Sequence, residues 1–349
     1  MARRRIPLIA PAALLLLAGA LAPVTAHAAE APPPPRTVSA WLPYWDQENA
    51  YRDALAHAGQ IRTISPFWYE AKSATRVDGH PGAGERRIVN GLHDKGIQVV
   101  PTVMERMKPG ALGALMTSPA RRAEHVDALL AVVRSRAYDG IDLDYETIAP
   151  SPDATYRAVR AGYADFVTDL CARLHALDKQ CFATVTPQTR ASGRVWDYER
   201  LGAAADRVRV MAYNLHYAEG APGPLSTPRW YDEILTTATA RIPREKLETG
   251  LPGYGWDWAV GDKSRARHVT WKDAEALRRK EKAPYALDPD SSTPHFTYRD
   301  GATRRTVWYQ DARGTAAHLT VLRAHDVPYT VLWALGFEDP DVWRVLAEG

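Results

Sequence analysis

The run Asp139-Gly140-Ile141-Asp142-Leu143-Asp144-Tyr145-Glu146 is dense in carboxylates and regular in its spacing. Ile141, Leu143 and Tyr145 alternate with Asp142, Asp144 and Glu146. Strand side chains switch faces at every residue, so the run reads as a buried strand with one apolar and one acidic face. Successive carboxylates on the acidic face sit roughly 7 Å apart along the backbone. In a confined site they resist ionising together, so at least one is expected to hold its proton near neutrality. A carboxyl group that keeps its proton at neutral pH can serve as a general acid, and a stability cost of this kind is usually met where chemistry is done. Asp139 is out of phase with the other three and is expected to act structurally at the strand entry.

Strand-like and helical runs alternate along the rest of the chain and must position this face. Candidate strands are Val38–Leu42, Arg62–Phe67, Gln98–Val103, Gly140–Tyr145, Phe182–Thr186, Arg207–Ala212, Glu248–Leu251 and Tyr329–Ala334. Amphipathic stretches lie between them. The clearest opens with Ser118 as N-cap and Pro119 at the first helical position, followed by Val126, Leu129, Leu130 and Val133 at helical spacing. Others cover Ile88–Lys95, Tyr156–Leu177, Trp230–Ala240 and Ala317–His325. Eight alternations predict an α/β fold, a (β/α)8 barrel, over residues 37–349. An open doubly wound sheet would more often offer a Gly-rich phosphate turn after its first strand, and none is found. The alternation breaks once, at about 254–315, where the aromatic and threonine content predicts a small β-rich insertion between strands seven and eight.

Residues 1–28 read as a secretory signal peptide: Arg3, Arg4 and Arg5 precede an apolar run, and Ala26-His27-Ala28 supplies a small-x-small cleavage site. Residues 29–36, with Pro32 to Pro35, read as a polyproline spacer. The expected product is therefore secreted, extracellular or bound to the cell wall, with no membrane contact after cleavage. The chain carries 44 Lys+Arg against 41 Asp+Glu. Three of the Arg lie in the leader, which has no acid, so the mature chain balances at zero. That balance argues against nucleic acid or an anionic membrane as partner, since both require a basic excess. An exported chain permits Cys171 and Cys181 to pair, two buried thiols being the other reading. A monomer is expected, with no cofactor and no metal.

Barrel enzymes place their sites at the carboxyl ends of the strands. Those ends carry Trp41, Tyr44 and Trp45, then Phe67, Trp68, Tyr69 and Glu70, then Met104 and Glu105. Strand six leads into Tyr213, Asn214, His216 and Tyr217, strand seven into Tyr254, Trp256 and Trp258, and strand eight ends at Trp333. Flat aromatic faces stack on sugar rings while carboxylates and amides bond the hydroxyls, so the lining suggests a glycan groove.

Asp139, Gly140, Asp142, Asp144 and Glu146 reproduce the DGxDxDxE pattern, on the fourth predicted strand, and the chain here resembles family 18 glycoside hydrolases, the chitinase family. Met211-Ala212-Tyr213 matches the family's Met-x-Tyr, and Trp333 its tryptophan on strand eight. The run Met211–Pro224 is most similar to the bacterial branch that includes spore-cortex and cell-wall lytic enzymes. The resemblance covers most of Val38–Trp343 and implies a retaining glycosidase with no protein nucleophile, in which the 2-acetamido oxygen of an N-acetylglucosamine attacks its own anomeric carbon. It implies Glu146 as general acid and then base, Asp144 holding the acetamido N–H, Asp142 sharing a proton with Asp144, Tyr213 on the acetamido oxygen and Trp333 as the pocket floor. Trp41, Tyr44, Trp68, Glu105, Asn214, His216 and Trp256 are the further expected substrate-binding residues. Asn214 departs from the family, which usually has Asp after that tyrosine; an amide bonds a hydroxyl but cannot ionise. The expected substrate is an N-acetylglucosamine-containing polysaccharide such as chitin or peptidoglycan.

Two other classes compete. A non-catalytic glycan-binding relative would keep the groove and lose the acid, whereas Glu146 is present. A metal-dependent phosphoesterase could also use strand carboxylates, but no His/Asp cluster completes a two-metal set, and Thr147 stands where an EF-hand loop needs glycine.

Overall fold

The computed structural model describes residues 36–147, 156–189, 192–262 and 264–349. The leader at 1–28 and all of the proline spacer except Arg36 lie outside the described residues. The acidic strand forms as Gly140–Asp144. Its apolar face points outward: Ile141, Leu143 and Tyr145 are fully buried in the main hydrophobic cluster with Phe166, Val126 and Leu130 of the surrounding helices. Tyr145 anchors this face, its hydroxyl 2.6 Å from Nε2 of His125 and its ring stacked on Phe166. Gly140 is required by closeness to the next strand, since a Cβ there would lie 2.3 Å from the carbonyl oxygen of Gln180. Asp139 sits at the strand entry, where Oδ2 accepts from the Val99 amide at 2.7 Å and lies 2.8 Å from Nε2 of His93.

Parallel pairing runs from this strand through Gln180–Val185, Arg207–Val210, Leu247–Pro252, Tyr329–Trp333, Thr37–Leu42 and Ile61–Pro66. The second and third barrel strands are each interrupted. Ile61–Pro66 pairs with Gln98–Val99, and beyond the breaks Tyr69–Ala71 pairs with Thr102–Glu105, which pairs with the acidic strand. The curled sheet thereby returns on itself as an eight-stranded (β/α)8 barrel. The single third strand expected at Gln98–Val103 is thus two pieces, because Pro101 has no N–H to give the ladder.

The helices pack outside. Pro119–Arg134 begins as its sequence predicts, with Ser118 accepting from the Arg121 amide and Val126, Leu129, Leu130 and Val133 buried. Tyr156–His175 leads back to the fifth strand, and Cys171 at its inner face is bonded to Cys181 on that strand. Between Pro252 and Ala312 the chain forms a five-stranded antiparallel sheet, in the order Arg267–Thr270, Tyr254–Ala259, Thr303–Tyr309, Pro294–Asp300, Ala286–Leu287. Helix Trp271–Lys280 covers it over a small core of Val269, Ala274, Phe296 and Val307. Asp257 and Arg305 form a buried ion pair at 2.9 Å within this sheet. The sheet is tied to the barrel mouth by Trp258 Nε1 donating to the Tyr217 carbonyl, the Ala266 amide to Ala218, and the Trp271 amide to Phe337. Among the described residues no helix is long and apolar enough to cross a membrane.

Candidate active site

The barrel interior is polar, and its centre is an ion cluster. Arg209, fully buried on strand six, pairs with Asp142 at 3.0 Å and with Glu248 of strand seven at 2.6 Å, and donates to Ser65 Oγ. Asp142 also accepts from Trp41 Nε1 at 3.0 Å, Thr102 Oγ1 at 2.8 Å and Thr184 Oγ1 at 2.8 Å. Burial works against the Arg209 charge, but Glu248 and Asp142 outweigh it and hold the guanidinium proton more tightly than usual. Asp142 therefore forms the foundation of the site. Its acceptor positions are filled from four elements, and no hydrogen bond joins it to Asp144 among the described residues.

Asp144 lies one step higher, with Oδ1 buried and unpartnered. Burial first, then the charges of Glu146 and Asp142, push its carboxyl well above the usual carboxylate range. Glu146 follows at the rim. It is exposed by area, yet protein atoms crowd its carboxylate and raise its proton affinity, against the opposing pull of Arg106. Asp144 and Glu146 both line a cavity of about 290 Å³ that is closed around by Trp41, Tyr213 and Trp333. Trp333 is held there by edge contacts with Trp41 at 5.7 Å and Phe67 at 4.9 Å between centroids. Tyr213 stays a neutral hydroxyl, since burial and then the neighbouring Tyr254 and Asp144 push its ionisation well above the ordinary phenol range. Gly250 makes room for it: a Cβ there would meet the Tyr213 ring at 2.7 Å.

The structure brings most of the expected residues to this mouth. Tyr44, stacked on His80 at 3.7 Å, and Asn214 line the same cavity. Asn214 has a left-handed backbone (φ 63°), which asparagine tolerates, and its Oδ1 accepts from Tyr254 Oη at 2.5 Å and Trp256 Nε1 at 3.3 Å. Trp256 lines an adjoining cavity with Asn214, and Glu105 lines another with Asp144 and Glu146. Two residues lie elsewhere. Trp68 is fully buried among the helices with Nε1 on Gln47, because alternation that turns Phe67 into the barrel turns its neighbour out. His216 braces its own loop, with Nδ1 2.9 Å from the Ala221 carbonyl oxygen and its ring against Gly223. Sequence reasoning missed Arg209, Glu248, Arg106 and Arg265. For Arg209 a signal was present, since it shares a strand face with Tyr213 four residues later.

Comparison with known proteins identifies the family. The family model for glycosyl hydrolases family 18 matches residues 91–338. The chain belongs to glycosyl hydrolase family 18. The family is one of glycosidases, and relatives by sequence include an uncharacterized glycosylase, YvbX, of Bacillus subtilis (strain 168), 25% identical over 238 residues, 67% of this chain and 68% of that one. A cortical fragment-lytic enzyme of Bacillus anthracis is 24% identical over 315 residues, covering 85% of this chain and 71% of its own. Among solved structures, a chitinase from Chromobacterium violaceum superposes with a TM-score of 0.79 at 22% identity, over 90% of this chain and 98% of that one. The Bacillus cereus spore cortex-lytic enzyme SleL superposes at 0.77 and 22% identity, over 90% and 74%. At these identities the structural likeness speaks for the family 18 fold.

Proposed function

We propose that this family 18 member is an exported hydrolase that cleaves β-1,4 bonds after N-acetylglucosamine in peptidoglycan-type or chitin-type glycans, with retention and through the substrate's own acetamido group. The observation that carries the reading is the cavity of about 290 Å³ in which Asp144 and Glu146, both raised in proton affinity, face Tyr213 and Trp333. A sugar ring seated on Trp333 puts its 2-acetamido group toward Asp144 and Tyr213. Asp144 Oδ1, which no protein group bonds, accepts the acetamido N–H, and Tyr213 donates to the acetamido oxygen. Glu146 gives its proton to the glycosidic oxygen as the bond from that oxygen to C1 breaks. The acetamido oxygen closes on C1, forming an oxazolinium ring, and the departing sugar leaves with a new hydroxyl. Glu146, now a carboxylate, takes a proton from water as the water oxygen attacks C1 and the ring opens. Configuration at C1 is retained by the two inversions.

Asp142, held by Trp41, Thr102, Thr184 and Arg209, serves this scheme as the fixed support beneath Asp144. The five-stranded sheet, read as an insertion between barrel strands seven and eight, supplies Tyr254 and Trp256 to one wall. Export rests on the leader at residues 1–28 and agrees with the bonded Cys171 and Cys181. Glu146→Gln keeps the shape of the site and removes the proton. It is expected to bind N-acetylglucosamine oligosaccharides with wild-type affinity in calorimetry and to lose at least about 100-fold in hydrolysis, followed by mass spectrometry of products. Wild-type turnover by this variant defeats the assignment, and an inactive wild type that still binds would favour a glycan-binding protein.

A further inference from the structure

The cavity at Trp333 is the middle one of three. On one side it shares Trp45, Asn214 and Trp333 with an aromatic cavity of about 550 Å³. On the other it shares Met104, Arg106, Asp144 and Glu146 with a cavity of about 680 Å³. The first is walled from the ends of strands six to eight and the second from the ends of strands three and four, so they extend from opposite sides of the central one. The proton donor fixes the direction of the glycan: Glu146 must reach the leaving oxygen, so the departing sugar enters the larger cavity and the preceding sugar the aromatic one.

Each flanking cavity carries one arginine and no lysine, Arg265 among the aromatics and Arg106 beside Glu146. At rest each guanidinium leans on a carboxylate, Arg265 on the exposed Glu219 at 3.0 Å and Arg106 at 3.4 Å on the half-buried Glu70, which Lys72 and His80 also meet. Both arginine side chains are largely exposed, at 71% and 62%. Single contacts made by an exposed guanidinium hold weakly, and Glu70 keeps Lys72 and His80 when Arg106 turns away, whereas a guanidinium fork meeting a ligand carboxylate can form two parallel hydrogen bonds. A homopolymer of neutral N-acetylated sugars offers neither arginine an ionic partner. In a polymer whose sugars alternate, both neighbours of the central sugar are of the same kind.

Resting on the hydrolase reading above, we propose that the cleft takes an N-acetylated β-1,4 glycan in which every second sugar bears a carboxylate, with Arg265 and Arg106 receiving the carboxylates on either side of the sugar at Trp333. Glu105 also lines the departing-sugar cavity, so a carboxylate is admitted there only alongside Arg106. Asp144 and Glu146 stand in that cavity too, and their raised proton affinity lessens the repulsion.

The test uses peptidoglycan glycan strands stripped of peptide, so that their lactyl carboxylates are free, the same strands with those carboxylates amidated, and chitooligosaccharides. The mature protein is expected to show a kcat/KM about tenfold higher on free than on amidated strands, a preference that shrinks as ionic strength rises. In Arg265→Gln the free-to-amidated ratio is expected to fall to about threefold or less, through KM more than kcat. Arg106→Gln is expected to lower the same ratio and, because Arg106 also faces Glu146, to change kcat. Equal turnover of free and amidated strands by the wild type overturns the inference while leaving hydrolysis intact. A preference that survives in Arg265→Gln also overturns it. No turnover of any of the three substrates overturns the hydrolase reading and this inference together.

Discussion

Arg209→Met removes the cation that joins Asp142 to Glu248 at the barrel centre, leaving Arg207 3.6 Å from Glu248, while keeping most of the side-chain volume. It strands Asp142, 0% exposed and now 3.0 Å from Arg209, and leaves Glu248, 3% exposed and now 2.6 Å from Arg209, with the longer Arg207 pair. Taking one partner from a buried ion pair costs about 3–5 kcal/mol, because the remaining charge has neither water nor counter-ion. For a domain of this size that corresponds to a fall in Tm of about 5–8 °C. The pH dependence separates this cause from simple loss of packing. Without the guanidinium Asp142 has no counter-charge in a dry interior, so in the variant its folded pKa rises above the unfolded value near 4. The folded variant then binds more protons than the unfolded chain above that pH, and its stability declines as pH climbs. The deficit relative to wild type is expected to be largest at neutral pH and to narrow toward pH 4, measured by thermal and denaturant unfolding. Adding Glu248→Gln should recover part of the loss at pH 7. A deficit below about 1 kcal/mol, or one equal at pH 4 and pH 7, would refute the reasoning that the cluster acts through buried charge.

Asp144→Asn addresses the group above it. Burial and the adjacent acids raise the Asp144 pKa, so the folded wild type retains a proton that the unfolded chain releases, and wild-type stability falls as pH rises above about 4. The Asn variant has no such dependence at this position. Its Tm is expected to exceed that of the wild type at pH 7 and the gap to shrink toward pH 4; a Tm difference that does not change with pH would contradict the assignment. The Cys171–Cys181 bond closes a short loop between helix Tyr156–His175 and the fifth strand. Replacing both cysteines by serine is expected to lower stability by about 3 kcal/mol, and dithiothreitol should destabilise the wild type but not the double variant.

Much of the barrel was legible because its signals are local. The eight runs of strand-forming residues, the Ser118-Pro119 helix start and the out-of-phase Asp139 each depend on a few adjacent residues, and each sits where that pattern places it except the third strand, which Pro101 splits. The acidic strand was legible for the same reason: a period of two puts Asp142 and Asp144 on one face whatever surrounds them. Trp68 shows where the rule was applied too loosely, since aromatic type suggested the groove while strand phase sends it outward.

The amino-acid order by itself determined the family pattern and the strand that carries the acids, because alternation and residue chemistry are properties of neighbours along the chain. Only the tertiary structure decided that Asp142 is already engaged by Arg209, Trp41, Thr102 and Thr184 while Asp144 keeps an open oxygen. It also decided that Arg106 and Arg265 stand on opposite sides of Trp333. Those partners are separated by tens to more than a hundred residues in the chain, and it is closure of the barrel that sets which charges share one low-dielectric interior and so which acid keeps its proton.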